Sequence, residues 1–204
     1  MTAKHSKNST ALALLGIVCG ISGCTEPSDP AQFANAEHEV GTPGVQCLQS
    51  GDGLLSGELY GALELNIQWP NAGTACEGMT RPDNGGARLR FSRRFSQSVQ
   101  SLVLIVGISQ IAKGDKGNGY PANVTLIDER NASFYSNGGV PNCWVDVYQQ
   151  TPIASADAKI DGILYCSGAL AQTQGDGSIR LRDIRFSGQI DWSGNNAGRT
   201  VSAE

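Results

Sequence analysis

The residues of this chain best equipped for chemistry are its cysteines, at positions 19, 24, 47, 76, 143 and 166, and its histidines, His5 and His38. His38 falls in a stretch without hydrophobic periodicity. Beyond it no histidine remains for a Ser-His-Asp triad, a Cys-His pair or a histidine-based zinc site. The cysteines show no C-x-x-C spacing, and neither a G-x-S-x-G elbow nor a G-x-x-x-x-G-K-[ST] loop occurs. Carboxylates could act without histidine, as in glycoside hydrolysis, if two faced each other across a cleft. Asp128, Glu129, Asp146, Asp161 and Asp191 are available, but spacing alone brings no two together. Solvated acids on strands and turns is their plainer reading. The loops at 50–53, 114–119 and 174–177 each offer one or two acids or amides. Calcium takes six to eight oxygens, so turns are the better reading. No catalytic residue, metal or cofactor is expected.

The first two cysteines belong to a different chemistry. Residues 1–10 carry Lys4 and Lys7 and no acid; residues 11–21, "ALALLGIVCGI", are uncharged and apolar. A basic start, a short apolar run and small residues before a cut site make an export signal. Eleven apolar residues are too few to span a bilayer, which takes about 20. "ISGC", Ile21 to Cys24, resembles the lipobox of bacterial lipoproteins. The resemblance covers residues 1–25 only. It implies a diacylglyceryl group on the Cys24 thiol, cleavage before Cys24 and acylation of the new amino terminus. Thr25 after the cysteine implies sorting to the outer membrane. Each buried methylene is worth roughly 0.8 kcal/mol, so two or three acyl chains anchor a protein stably. Cys19 leaves with the signal.

The organisation expected is therefore a signal at 1–23, a lipidated Cys24 with a flexible tether at 24–45, and a folded domain at 46–204. Acids number 19 against 15 bases, and the signal removes two of the bases. The acidic balance argues against nucleic acid and against electrostatic adhesion to anionic lipid. Residues 25–45 have three prolines and no periodicity, as a tether would.

Those cysteines and carboxylates must be positioned by strands. "LYGALELNIQW" (59–69) alternates, with six residues from Leu59 to Trp69 on one face, and predicts one half-buried strand. "SLVLIVGI" (101–108) is continuously apolar, as expected of a strand buried on both faces. "ARLRF" (87–91), "CWVDVYQ" (143–149), "KIDGILYCSGAL" (159–170) and several shorter runs follow, separated by Gly- and Asn-rich turns. Ile179 and Leu181 share one parity, and Ile184, Phe186 and Ile190 the other. That phase break predicts a β-bulge near Arg182-Asp183. The fold expected is all-β, an antiparallel sandwich of eight or nine strands with two disulfides.

Four cysteines allow three pairings. If Cys143 faces Cys166 in a hairpin, Val145 meets Leu164 and Val147 meets Gly162, so apolar residues and cysteines share a face. Strand phase therefore favours 143–166, leaving Cys47 with Cys76. On the opposite parity Trp144 and Tyr148, with Tyr165 across the hairpin, form a candidate ligand surface. Arg88, Arg90, Arg180 and Arg182 repeat the pattern R-L-R-x-x-R and would form an anion-binding stripe if their strands were neighbours; charged decoration of an exposed face is the plainer reading. The function expected is non-enzymatic: a lipid-anchored envelope protein for binding, scaffolding or assembly, with a protein or glycan partner. The alternatives are a carbohydrate- or peptidoglycan-binding module and a histidine-independent carbohydrate hydrolase.

Overall fold

A computed structural model describes residues 39–40, 44–81, 85–95, 99–155 and 157–196. The signal at 1–23, Cys24 and all of the segment to 45 except residues 39–40, 44 and 45 lie outside them. Among the described residues there are twelve strands: β1 (Glu39–Val40), β2 (Leu54–Gly61), β3 (Leu65–Pro70), β4 (Ala75–Thr80), β5 (Gly86–Phe95), β6 (Ser101–Ser109), β7 (Gly117–Asp128), β8 (Ser133–Ser136), β9 (Cys143–Pro152), β10 (Asp157–Cys166), β11 (Leu170–Gln172) and β12 (Ser178–Asp191). A 3-10 turn follows at Ser193–Asn196.

The chain is all-β, as alternation predicts, but it is one sheet closed on itself rather than two stacked layers. The circuit runs β5–β6–β7–β9–β10–β12–β4 and back to β5, a seven-stranded barrel. Every pairing in it is antiparallel except β12 with β4, which meet in parallel at Asp191 and Met79. Closure rather than stacking follows from β12. This 14-residue strand changes partner on both edges: β11 then β10 on one, β2 then β4 on the other.

Two expected strands differ in detail. The alternating run 59–69 is a hairpin, in which Leu59 pairs with Leu65 and a turn occupies 62–64. Residues directly opposite share a face, and an odd number of residues between them leaves the parity unchanged, so the alternation passes through the turn. In β6, Leu102, Leu104, Val106 and Ile108 are buried while Ile105 and Gly107 are half-buried. That strand alternates instead of being covered on both faces, Val103 excepted. Within the segment expected as tether, β1 pairs with the end of β5.

The bulge lies where the phase break puts it. Arg182 pairs with Glu58 and Arg185 with Ser56, so two residues of β12 oppose Gly57 alone. Asp183 takes φ 50°, a left-handed conformation that Asp tolerates better than most residues. The bulge turns Ile184 and Phe186 inward in step with Ile179 and Leu181.

The barrel interior is filled, as expected of so few strands. Leu89, Phe91, Leu104, Val106, Leu126, Val145, Ile160, Leu164 and Ile190 are almost fully buried, and Phe91 meets Phe186 with ring centres 6.0 Å apart. Gly162 and Gly188 make room for those rings: a Cβ on Gly188 would lie 2.8 Å from Phe91, and one on Gly162 2.8 Å from Phe186.

Strand β7 also changes partner. Its first half pairs with β9 and its second with β8. Between Pro121 and Thr125 that edge faces no strand, and the buried Asn137 side chain stands in for one. Its Oδ1 accepts from Val124 N at 3.0 Å, and its Nδ2 donates to Ala122 O at 3.0 Å and Val140 O at 2.9 Å. Cys47 is bonded to Cys76 and Cys143 to Cys166. In the β9–β10 hairpin Cys143 pairs with Cys166, Val145 with Leu164 and Val147 with Gly162.

Candidate functional site

Alternation along β9 decides what the outer wall of the barrel presents. Cys143, Val145 and Val147 are buried; Trp144 and Asp146 point outward from the same strand. Trp144 pairs in register with Tyr165 of β10 and with Pro121 of β7. Directly opposed outward residues on antiparallel strands bring their side chains together. The Trp144 and Tyr165 rings accordingly stack with centres 5.9 Å apart and planes inclined by 27°.

Asp146 holds this pair in place. Its Oδ1 accepts from Gly119 N at 2.7 Å and from the Tyr165 hydroxyl at 3.2 Å. Burial, and then the Asp146 charge, push the Tyr165 hydroxyl above its ordinary pKa, so it stays a donor. The arrangement is an aromatic surface with a carboxylate at its side. It can stack on a flat apolar face and accept hydrogen bonds from hydroxyl or amide groups around that face.

Tyr148 is more than half exposed but stands apart. Val147 pairs with Gly162 and Gln149 with Asp161, so Tyr148 is the extra residue of a bulge. Four residues from Trp144 at about 3.3 Å each, it sits roughly 13 Å along the strand. It makes no ring contact with the pair among the described residues.

The four arginines do not form one stripe. Strand β4 stands between β5 and β12, and the Arg180–Arg182 half of β12 pairs with β2 instead. Arg90 is bound to Glu77 at 3.3 Å, and Arg88 faces Met79 in register. Arg182 lies over the Tyr60 ring at 4.5 Å and reaches Glu58 Oε2 at 3.4 Å. The repeated motif thus lands on two separate parts of the wall, because similar sequence does not make strands neighbours.

The acids likewise have local work. Asp128 is buried against Arg130, at 3.6 Å, and Asn131, at 2.8 Å. Asp161 accepts from Ser187 and is 3.4 Å from Lys159. Asp191 accepts from Ser193 N at 2.7 Å. In the 50–53 loop Asp52 is taken by Lys159 and Ser50. In the 114–119 loop Asp115 accepts from Ala112 N at 2.8 Å. The 174–177 turn is closed by Gln172 N on Gly177 O. Among the described residues no three His, Cys, Asp or Glu side chains gather around a common point.

One group escaped the sequence reading. Glu58, Leu59, Tyr60, Glu64, Leu65 and Asn66 line a hollow of about 290 Å³ beside the β2–β3 turn. The Tyr60 hydroxyl donates to Glu58, which Arg182 also binds, so Glu58 is an anchor rather than a free base. The outward parity of Tyr60 and Glu64 is legible in the sequence; the turn that folds them together is not.

No protein-family model, curated protein or solved structure matches the chain.

Proposed function

We propose that this chain is an exported, lipid-anchored envelope protein whose barrel binds saccharide on the Trp144–Tyr165 surface without catalysing a reaction on it. The observation that carries the reading is that pair itself: two stacked rings fixed by register on a closed sheet, with Asp146 bonded beside them. A pyranose presents a C–H face to an aromatic ring and hydroxyls at its rim, which is the chemistry such a surface takes. Export is supported by the lipobox-like "ISGC" and by two disulfides in the barrel, which persist in oxidising compartments. Acyl chains on Cys24 would hold the protein at the membrane, and the residues before the barrel would give it reach. Peptidoglycan is then within reach.

Trp69 and Trp192 are buried, so Trp144 dominates any ligand response of the fluorescence. Titration with N-acetylglucosamine oligomers is expected to change the emission. Calorimetry, which does not need the Trp144 reporter, is expected to show Trp144→Ala weakening binding about tenfold, or ~1.4 kcal/mol. Binding that is unaffected by Trp144→Ala overturns the platform. Mass spectrometry of membrane-extracted protein tests the anchor: a mature terminus at Cys24 without lipid overturns it.

A further inference from the structure

Where a long strand passes from one partner to the next the sheet leaves an edge open, on β7 and on both edges of β12. On β7 the opening is sealed by Asn137. On the β10 and β11 edge of β12 it is not. The β10 ladder on β12 ends with Leu164 on Ile184, and the β11 ladder begins with Leu170 on Ile179, so residues 180–183 face no strand on that edge. A cleft of about 280 Å³ opens there, lined by Tyr60, Cys166, Gly168, Arg180, Leu181 and Arg182. That is room for one small polar group, less than the 300–1,000 Å³ usual for larger ligands.

The charges in the cleft are unequal. Arg182 is committed to Glu58 and to the Tyr60 ring. Arg180 is exposed and has no ion pair among the described residues. Cys166 is bonded to Cys143 and carries no charge, and Gly168 has no side chain. The acids nearby are Glu58, already bound, and Asp183 on the bulge. One uncommitted guanidinium remains, whose fork of donors matches a carboxylate. A phosphate monoester would bring a second negative charge that nothing here balances.

The cleft adjoins the aromatic surface. Tyr165 directly precedes Cys166, and continuing the β10–β12 register places it opposite Asp183, three residues from Arg180. At about 3.3 Å per residue and one strand spacing of roughly 4.8 Å, the two lie some 11 Å apart, about the span of a disaccharide. We propose that the cleft receives a carboxylate carried by the bound saccharide, so that the ligand is an acidic glycan with one ring on Trp144–Tyr165 and its carboxylate on Arg180. This rests on the saccharide reading of that surface.

The test uses two disaccharides that differ by a lactyl carboxylate: N-acetylglucosamine linked to N-acetylmuramic acid, and chitobiose. Calorimetry on the whole barrel is expected to show the acidic sugar binding about tenfold tighter, with the preference shrinking as salt is added. Arg180→Gln is expected to abolish the preference and leave chitobiose binding unchanged. Trp144→Ala is expected to weaken both. Equal affinity for the two sugars in the wild type, or a preference that survives Arg180→Gln, overturns the cleft while the aromatic surface stands. Binding of neither sugar overturns both.

Discussion

Two buried asparagines show how single side chains make this sheet feasible. Asn137 supplies the β7 edge with the donor and acceptor that a strand would have given. Asn71, also buried, accepts from Leu48 N at 2.7 Å and Gly53 N at 3.1 Å and donates to Leu48 O at 3.0 Å. Buried backbone groups left without partners cost about 1–3 kcal/mol each. Asn137→Ala should therefore cost roughly 2–4 kcal/mol in urea unfolding; a loss under about 0.5 kcal/mol would mean water replaces the amide. Neither asparagine was legible in the sequence. Asn in a Gly-rich loop reads as a turn former, and only the strand beside it reveals the bonds it completes. Trp144 and Tyr165 were legible, because period-two phase alone puts them outward and opposite. An exposed pair gives a second measurement. Lys159 and Ser50 hold Asp52 below its ordinary 3.8, and Asp52 holds Lys159 above its ordinary 10.5. The Asp52 contribution is complete above 3.8 and is lost as pH falls through its lowered folded value; the Lys159 contribution is complete below 10.5 and is lost as pH rises through its raised one. The stability difference between wild type and Asp52→Asn should be flat between those two values and shrink outside them. A difference that varies through neutral pH would contradict this pairing.

Elements were legible where apolar side chains alternate and hidden where neighbours supply the bulk. The β9–β10 register and the β12 bulge follow from parity, since a one-residue slip would turn a whole face outward. Strand β4 left no such trace. Its "ACEGMT" has Gly78 at a core-facing position, where a Cβ would lie 2.8 Å from Leu89 and 2.9 Å from Ile190. The core volume there belongs to the adjacent strands, so the strand itself reads as a loop. Gly188 is the same device on β12, ceding space to Phe91. Gly188→Ala adds a methyl to a filled interior and should cost about 1–3 kcal/mol by overpacking. With Phe91→Leu in the background the same substitution should cost less, because the ring it meets is gone. A double-mutant cycle from thermal unfolding reads the coupling, expected at about 0.5–3 kcal/mol. Strict additivity would show that Gly188 serves some purpose other than clearance for Phe91.

Barrel and sandwich share one period-two pattern, and what separates them is which distant strands meet. The β12–β4 contact, parallel and 112 residues apart at Asp191 and Met79, has no local signature. That contact is also the seam of the barrel. Along one edge of β12, β2 ends with Leu54 on Ser187 and β4 takes over at Asp191. Cys47 sits at this junction, its Sγ 3.5 Å from Ser187 O, and its bridge to Cys76 ties the chain before β2 to β4. Along the other edge, the bridge from Cys143 to Cys166 stands where β10 gives way to β11. Each disulfide thus stands beside a point where β12 exchanges partners and ladder bonds are fewest. Their loops of 29 and 23 residues make each worth about 3.5 kcal/mol through the unfolded chain. A purely entropic role would stop there. If the bridges also hold the junctions, their loss should be felt locally before the barrel unfolds. Replacing Cys47 and Cys76 by serine should speed native-state hydrogen exchange in β4 and in residues 187–191 of β12, leaving β6 and β7 protected. Replacing Cys143 and Cys166 should instead loosen the Cys ends of β9 and β10 and the 180–183 edge, and with them the cleft beside Arg180. A uniform rise in exchange across all strands, in either variant, would show that the bridges act on the unfolded chain alone.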